Sequence, residues 1–288
     1  MLGIQALLFQ IGMGLYLVAL LGYVLRLTTG LDRLGQAATL LCWLGVMVQL
    51  VMFVMRGVEA RHVPLVTMYE YLSALACMSV FAYLVFQWRF GKETEGVQAA
   101  GAPALLMAVA LLGYASILPA QMKQSEDLMP VLKSDWLIFH VSVAIIGYVA
   151  GGLLAGVLVL LYFVSYKAGP SSPWVREKLP SAQTLDQAVY RVVRFAFPFL
   201  TLVNVTGAVW AYSAWGRYWG WDPKETWSLI TWLIYAFYLH ARLRAGWRPP
   251  QTNAVVVAGI AAILITFLGV NQLAAFSSSL HSYASGGG

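Results

Sequence analysis

Charge is what this chain has least of. Only 10% of its 288 residues are Asp, Glu, Lys or Arg, while 60% are hydrophobic; a soluble globular chain carries about a quarter charged residues. So few charges cannot cover a body of this size with water-binding groups. Those present are clustered between long apolar runs, the pattern of a chain whose solvent is lipid. Cysteine is nearly absent as well: Cys42 and Cys77 both lie inside apolar runs, and neither C-x-x-C nor C-x-x-C-H occurs. That excludes a c-type cytochrome and a thiol oxidoreductase. The first residues lack a basic leader and a small-residue cleavage site, so they read as a retained span, not a signal peptide. There is no internal repeat. The net charge of +6 reports orientation in a membrane chain, and no nucleic-acid partner is expected.

A bilayer crossing needs about 20 largely apolar residues. Eight segments qualify, near 5–26, 36–55, 67–88, 97–118, 136–166, 195–214, 226–243 and 253–276. The expected fold is therefore all-α, a polytopic helical bundle of about eight transmembrane helices forming a single membrane domain over 1–288. Residues 136–166 exceed one crossing, which predicts a helix that tilts or projects into water. Residues 182–194 (AQTLDQAVYRVVR) mix apolar and basic positions and predict an interfacial helix ahead of the sixth span. Connections after the odd-numbered spans hold 12 Lys and Arg, and the opposite side holds six. The positive-inside rule makes the first group cytoplasmic and leaves both termini outside.

Four histidines stand on this map. His140 lies about five residues into the fifth span from its outer end, roughly 7–8 Å along the axis. His281 follows the last span, also outside, and His62 is in the outer loop before the third span. His240 lies toward the cytoplasmic half of the seventh. A lone histidine near a helix end is ordinarily an interfacial, hydrogen-bonded residue. Two outer histidines with an aromatic-rich loop between them change that reading, because paired imidazoles are a common way to hold haem iron. His240 is a separate case, since an ionisable group inside a span is costly and marks function by default.

The aromatic loop reads WGRYWGWDPKE over 215–225, and Trp210, Trp227 and Trp232 lie close by. An aromatic belt is the obvious alternative, but a belt does not need Gly216 and Gly220 set between Trp215, Trp219 and Trp221. Glycine lets the backbone turn tightly and a flat partner approach, and several indoles together make an apolar platform for a large planar ligand. Asp222 has a structural explanation of its own: Asp-Pro-Lys-Glu fits an N-cap, proline at the first helical position, and Glu225 as capping-box partner. Glu70, near the outer end of the third span, is expected to cap or hydrogen-bond, with no catalytic role.

The run Trp215 to His240 (WGRYWGWDPKETWSLITWLIYAFYLH) resembles the tryptophan-rich WWD signature of haem-handling proteins in cytochrome c maturation. Its WDPKETW form and Tyr238-Leu239-His240 are similar to the CcsA or ResC branch, the system II cytochrome c synthase. Trp136 to Val141 resembles that family's segment around its first external histidine, His62 to Leu72 (HVPLVTMYEYL) its outer stretch ending in Tyr-Glu, and Leu280 to Tyr283 its terminal histidine. The blocks run in order from residue 62 to 283.

The resemblance implies that His140 and His281 ligate haem b at the outer face, with Trp215, Trp219, Trp221 and Asp222 as platform. It also implies that His240 ligates a second haem within the membrane, opposite a ligand from a CcsB (ResB) partner subunit. His140, His281 and Asp222 are the expected catalytic group, and His62 is expected in structure or against a haem propionate. Arg56 and Arg61 are further candidates for propionate pairing. The implied activity is that of a cytochrome c haem lyase subunit, active with its CcsB/ResB partner. It carries haem across the membrane for thioether attachment to the two cysteines of apocytochrome c. The implied location is a bacterial cytoplasmic (inner) membrane, or the thylakoid membrane in a plastid. The alternative is a CcmC-like haem-delivery protein without ligase activity; eight predicted spans and the WDPKETW form stand against it.

Overall fold

A computed structural model describes residues 2–91, 96–123, 134–169 and 172–266. His281, and the end of the eighth expected span, lie outside the described residues. No strand occurs among them. The helices are α1 (Leu2–Thr29), α2 (Asp32–Ala60), α3 (Met68–Phe90), α4 (Gly101–Ile117), α5 (Asp135–Tyr148), α6 (Ala155–Ala168), α7 (Pro173–Lys178), α8 (Ala182–Trp215), α9 (Pro223–Leu243) and α10 (Pro249–Leu264). Among the described residues, six helical stretches are long and apolar enough to cross a membrane, and α10 is a shorter apolar helix. α9 stands in the seventh place and carries Lys224, Glu225, His240 and Arg242. The protein is thus a polytopic helical membrane protein, as its composition predicts.

The chain packs in two sets. α1 lies against α2 and α4, and α3 against α4 and α2; later, α8 receives α5, α6 and α9, while α10 packs on α9 and α6. α1 and α2 turn Leu17, Leu21, Leu40, Met47 and Val54 outward. That is costly in water and ordinary in lipid, where the backbone polar groups are already satisfied within each helix. The sets meet where α3 packs on Val149–Leu154, a π-helical segment joining α5 to α6. A π turn loosens the hydrogen-bond ladder and leaves carbonyls to satisfy. Here the Tyr235 hydroxyl of α9 donates to the Gly151 carbonyl. The fused α5–α6 stretch covers Asp135–Ala168, 34 residues, or about 50 Å at 1.5 Å per residue. It exceeds one crossing, as expected.

Residues 182–194 do not form a helix of their own. They are the first turns of α8, which runs unbroken for 34 residues through Pro198. Two causes combine. The buried positions Leu185, Val189, Val192, Ala196, Leu200 and Val203 share one continuous stripe at helical spacing. The buried Asp186 also accepts two hydrogen bonds from the Arg242 guanidinium of α9, at 2.7 and 2.6 Å, and a third from Asn253 Nδ2 of α10 at 3.0 Å. A buried carboxylate without those donors would be strongly unfavourable, so the segment is fastened to two neighbouring helices.

Candidate functional site

The site is built where α5 meets the C-terminal third of α8. His140, half-buried in the second turn of α5, lies over Gly207, where a Cβ would come within 2.9 Å of the imidazole Cε1. Only glycine at 207 lets the ring approach α8 this closely. The His140 ring is parallel to the indole of Trp210, with 7° between planes and 6.4 Å between centroids, and its Nδ1 is 3.0 Å from Thr206 Oγ1. Trp210 is 4% exposed and meets Trp215 edge-to-face at 4.8 Å. A separate apolar cluster joins Trp210 to Tyr71, Leu75, Leu137 and Val141, with Trp215 packed against it. Three helices therefore fix the wall behind His140.

α8 ends at Gly216, whose φ of 73° is a left-handed C-cap and whose N–H donates to Tyr212 O at 2.9 Å. The chain then runs to Asp222, the N-cap of α9, which accepts from Lys224 N at 3.1 Å and makes the expected capping box with Glu225. Glu225 does more than cap. Its Oε2 accepts from Gly220 N at 2.8 Å and Asp222 N at 3.1 Å, bracketing Trp221. Trp221 has a φ of 57° and is 70% exposed. A bulky residue in left-handed backbone is uncommon and is held there only by its surroundings. Trp219 and Trp221 form their own perpendicular pair at 5.7 Å. Lys224, half-buried in the first turn of α9, has its ammonium pushed down to about 8 by burial, which the Asp222 carboxylate opposes.

His140, Trp210 and Trp215 are thus brought into one cluster, and Trp219, Trp221 and Asp222 share the loop that follows. His62 is elsewhere, in the turn between α2 and α3, with Nδ1 3.0 Å from the neighbouring Val63 O. Its Nε2 is buried with no hydrogen-bond partner among the described residues. Arg56 is engaged within the protein: its guanidinium holds Glu70 at 2.5 Å and also donates to the Lys123 carbonyl. Glu70 itself caps α3 with Thr67. His240 is exposed on α9, about 25 Å along the helix from Pro223, beside the exposed Leu233, Phe237 and Leu243. Trp210, Thr206 and Gly207 are the residues that sequence reasoning passed over as site members. Trp210 had a signal in its nearness to the loop; the other two had none.

Chemically, the cluster offers an imidazole nitrogen beside stacked and edge-on indoles, which fits a planar apolar ring carrying a metal at its centre. The family model described as Cytochrome C assembly protein matches residues 65–277. Among curated proteins, the cytochrome c biogenesis protein CcsA of Synechococcus elongatus is 34% identical over 273 residues, covering 79% of this chain and 81% of that protein. CcsA of Picosynechococcus is 34% identical over 313 residues, covering 88% of each. CcsA of Chlamydomonas reinhardtii is 37% identical over 233 residues, covering 81% of this chain; the match spans 64% of that relative's length. Among solved structures, the cytochrome c haem lyase CcmF superposes with a TM-score of 0.68 at 19% identity, covering 92% of this chain and 46% of that one. That likeness is one of fold.

Proposed function

The chain belongs to the CcsA family of cytochrome c assembly proteins, and from that premise we propose that it binds haem b and presents it outside the membrane for attachment to apocytochrome c. The observation that carries the proposal is His140, set parallel to Trp210 and held by Thr206 next to the tryptophan loop. His140 and His281 would hold the haem iron at the outer face, with Trp215, Trp219 and Trp221 as the apolar platform for its ring. Asp222 acts through position, as the cap that ends the loop. His62 serves as structure or as a contact to a propionate. His240, on an outward-facing stripe of α9, ligates haem within the membrane, with the second ligand from a CcsB/ResB subunit docked on that stripe.

The attachment itself adds each apocytochrome thiol across a haem vinyl group. A C–S bond forms, the thiol hydrogen goes to the other vinyl carbon, and no net oxidation or reduction occurs. This chain's share is positioning and iron ligation, which convert an encounter between two large partners into a reaction between aligned groups. The membrane is the bacterial inner membrane, or the thylakoid membrane in a plastid.

The test is the visible spectrum of the purified chain, alone and with a CcsB-like subunit and an apocytochrome, compared with His140→Ala, His281→Ala and His240→Ala. The expected result is low-spin haem that weakens in the two outer variants, with covalent cytochrome c formed only when the partner is present. Unchanged haem in all three variants would show that these are not the ligands. Haem binding without any covalent product, with partner and apocytochrome supplied, would leave a haem carrier in place of a synthase.

A further inference from the structure

We infer that Thr206 is the positioning residue that selects the tautomer of His140 and keeps the imidazole a displaceable ligand. This rests on the reading of His140 as a haem-iron ligand. Thr206 Oγ1 donates its one hydrogen to the Leu202 carbonyl at 2.7 Å. Toward His140 Nδ1, 3.0 Å away, the same oxygen therefore acts as acceptor. That places a hydrogen on Nδ1 and the lone pair on Nε2, the atom that has to face iron.

The rest of the pocket makes the choice firm. Thr206 is 4% exposed, so solvent does not compete for its oxygen. Thr206, Gly207 and Trp210 lie on one face of α8, as residues three and four apart do. The ring rests on the bare backbone of Gly207 and is flanked by the parallel indole of Trp210. Turning the imidazole over would put Cδ2 where Nδ1 now stands and give up the bond to Thr206.

The identity of the acceptor matters. Histidines that hold a metal permanently commonly donate their second N–H to a carboxylate or carbonyl, which raises ligand basicity and fastens the metal. A hydroxyl is a neutral acceptor, so it orients the ring and raises its basicity, but less than a carboxylate does. That suits a ligand that holds haem for presentation and then has to release it with the product.

The experiment compares Thr206→Val, Thr206→Ser and His140→Ala in the full chain, by haem titration of the stripped protein and by the midpoint potential of the bound haem. Valine keeps the shape and removes the acceptor; serine keeps the acceptor. The expected result is a loss of haem affinity of about 10- to 100-fold in Thr206→Val, as for other outer-shell partners. The potential rises as the imidazole becomes a poorer donor, and both effects are reversed in Thr206→Ser. Thr206→Ala, which also deletes the acceptor but leaves more room, repeats the comparison if valine disturbs packing. Haem binding and potential unchanged in both the Val and Ala variants, with haem lost in His140→Ala, would overturn the positioning role and spare the ligand. Equal losses in Val and Ser would mean that Thr206 acts by packing. Haem unaffected in His140→Ala would overturn the reading of the site itself.

Discussion

At the start of α3, Thr67 caps the helix and Glu70 folds back to accept from Val66 N and Thr67 N, both at 3.0 Å. At the start of α9, Asp222 and Glu225 make the same reciprocal pair, and Glu225 accepts from Gly220 N and Asp222 N. The devices match but their settings differ. Glu70 is fully buried, and its other oxygen is taken by Arg56 Nε at 2.5 Å. That ties α2 to α3, and through the Lys123 carbonyl to the chain beyond α4. Glu225 is only half-buried, and between the two N–H groups it accepts stands an exposed tryptophan in left-handed backbone. One capping box closes a joint between helices. The other presents an indole. A capping motif thus fixes a helix start, while the residues just ahead of it decide whether the motif serves the core or a site.

The largest effect expected from this contrast is at the closed joint. Arg56→Met leaves the Glu70 carboxylate buried without its cation, which costs about 3–5 kcal/mol when one partner of a buried pair is removed. Thermal unfolding in detergent should show a pronounced drop, partly recovered in the double variant Arg56→Met with Glu70→Gln, where no net charge is stranded. A melting curve unchanged in Arg56→Met would erase the distinction between the two helix starts.

The open joint should respond more weakly, and at Trp221 in the opposite sense. Glu225→Ala removes the acceptor of two loop N–H groups and should cost about 1 kcal/mol, as other cap losses do. Trp221→Gly should leave stability unchanged or raise it by up to about 1 kcal/mol, because glycine takes a positive φ without a side-chain penalty. Haem retention should nonetheless fall in both variants. A Trp221→Gly protein that is less stable than wild type would show that this indole is packing material, and that its left-handed backbone stores no strain for binding.

Much of this could be read from residue order, and what could not has a physical cause. Asp-Pro-Lys-Glu is a local code, and the cap at Asp222 is where it places it. Thr67 and Glu70 carry the same code. The joining of 182–194 to the sixth span was present in the spacing of Leu185, Val189, Val192 and Ala196. Arg191 and Arg194 on the opposite side made the segment look like a surface helix instead. What fastens it, Asp186 to Arg242 and Asn253, spans 56 and 67 residues of sequence, and no local pattern predicts such a contact. The same holds at the site. His140 was conspicuous as one of four histidines, but Thr206 is 66 residues away and is one threonine among several in apolar helices. Gly207 is ordinary until a ring is found lying on it.

The smallest expected effect separates the two helix starts by their cations. At α3 the cation is Arg56, paired with Glu70; at α9 it is Lys224, which burial lowers from its ordinary 10.5 to about 8, with Asp222 opposing. Below about pH 8, Lys224 is protonated in both the folded and unfolded chain, and the cost of its burial is constant. Between about 8 and 10.5 the folded chain gives up a proton that the unfolded chain keeps, so the contribution of this helix start to stability rises with pH. Any carboxylate ligand bound beside the loop moves the other way, because the cation that attracts it disappears as pH passes 8. Haem affinity measured from pH 7 to 9.5 should therefore decline by no more than about fivefold, the worth of a solvent-screened ion pair. The decline should vanish in Lys224→Met, which starts weaker. In Lys224→Arg the affinity should hold steady across the range, since the guanidinium does not titrate there. If Lys224→Met keeps the wild-type slope, the charge at the start of α9 has no part in holding the ligand. The contrast with α3 then rests on Glu225 and Trp221 alone.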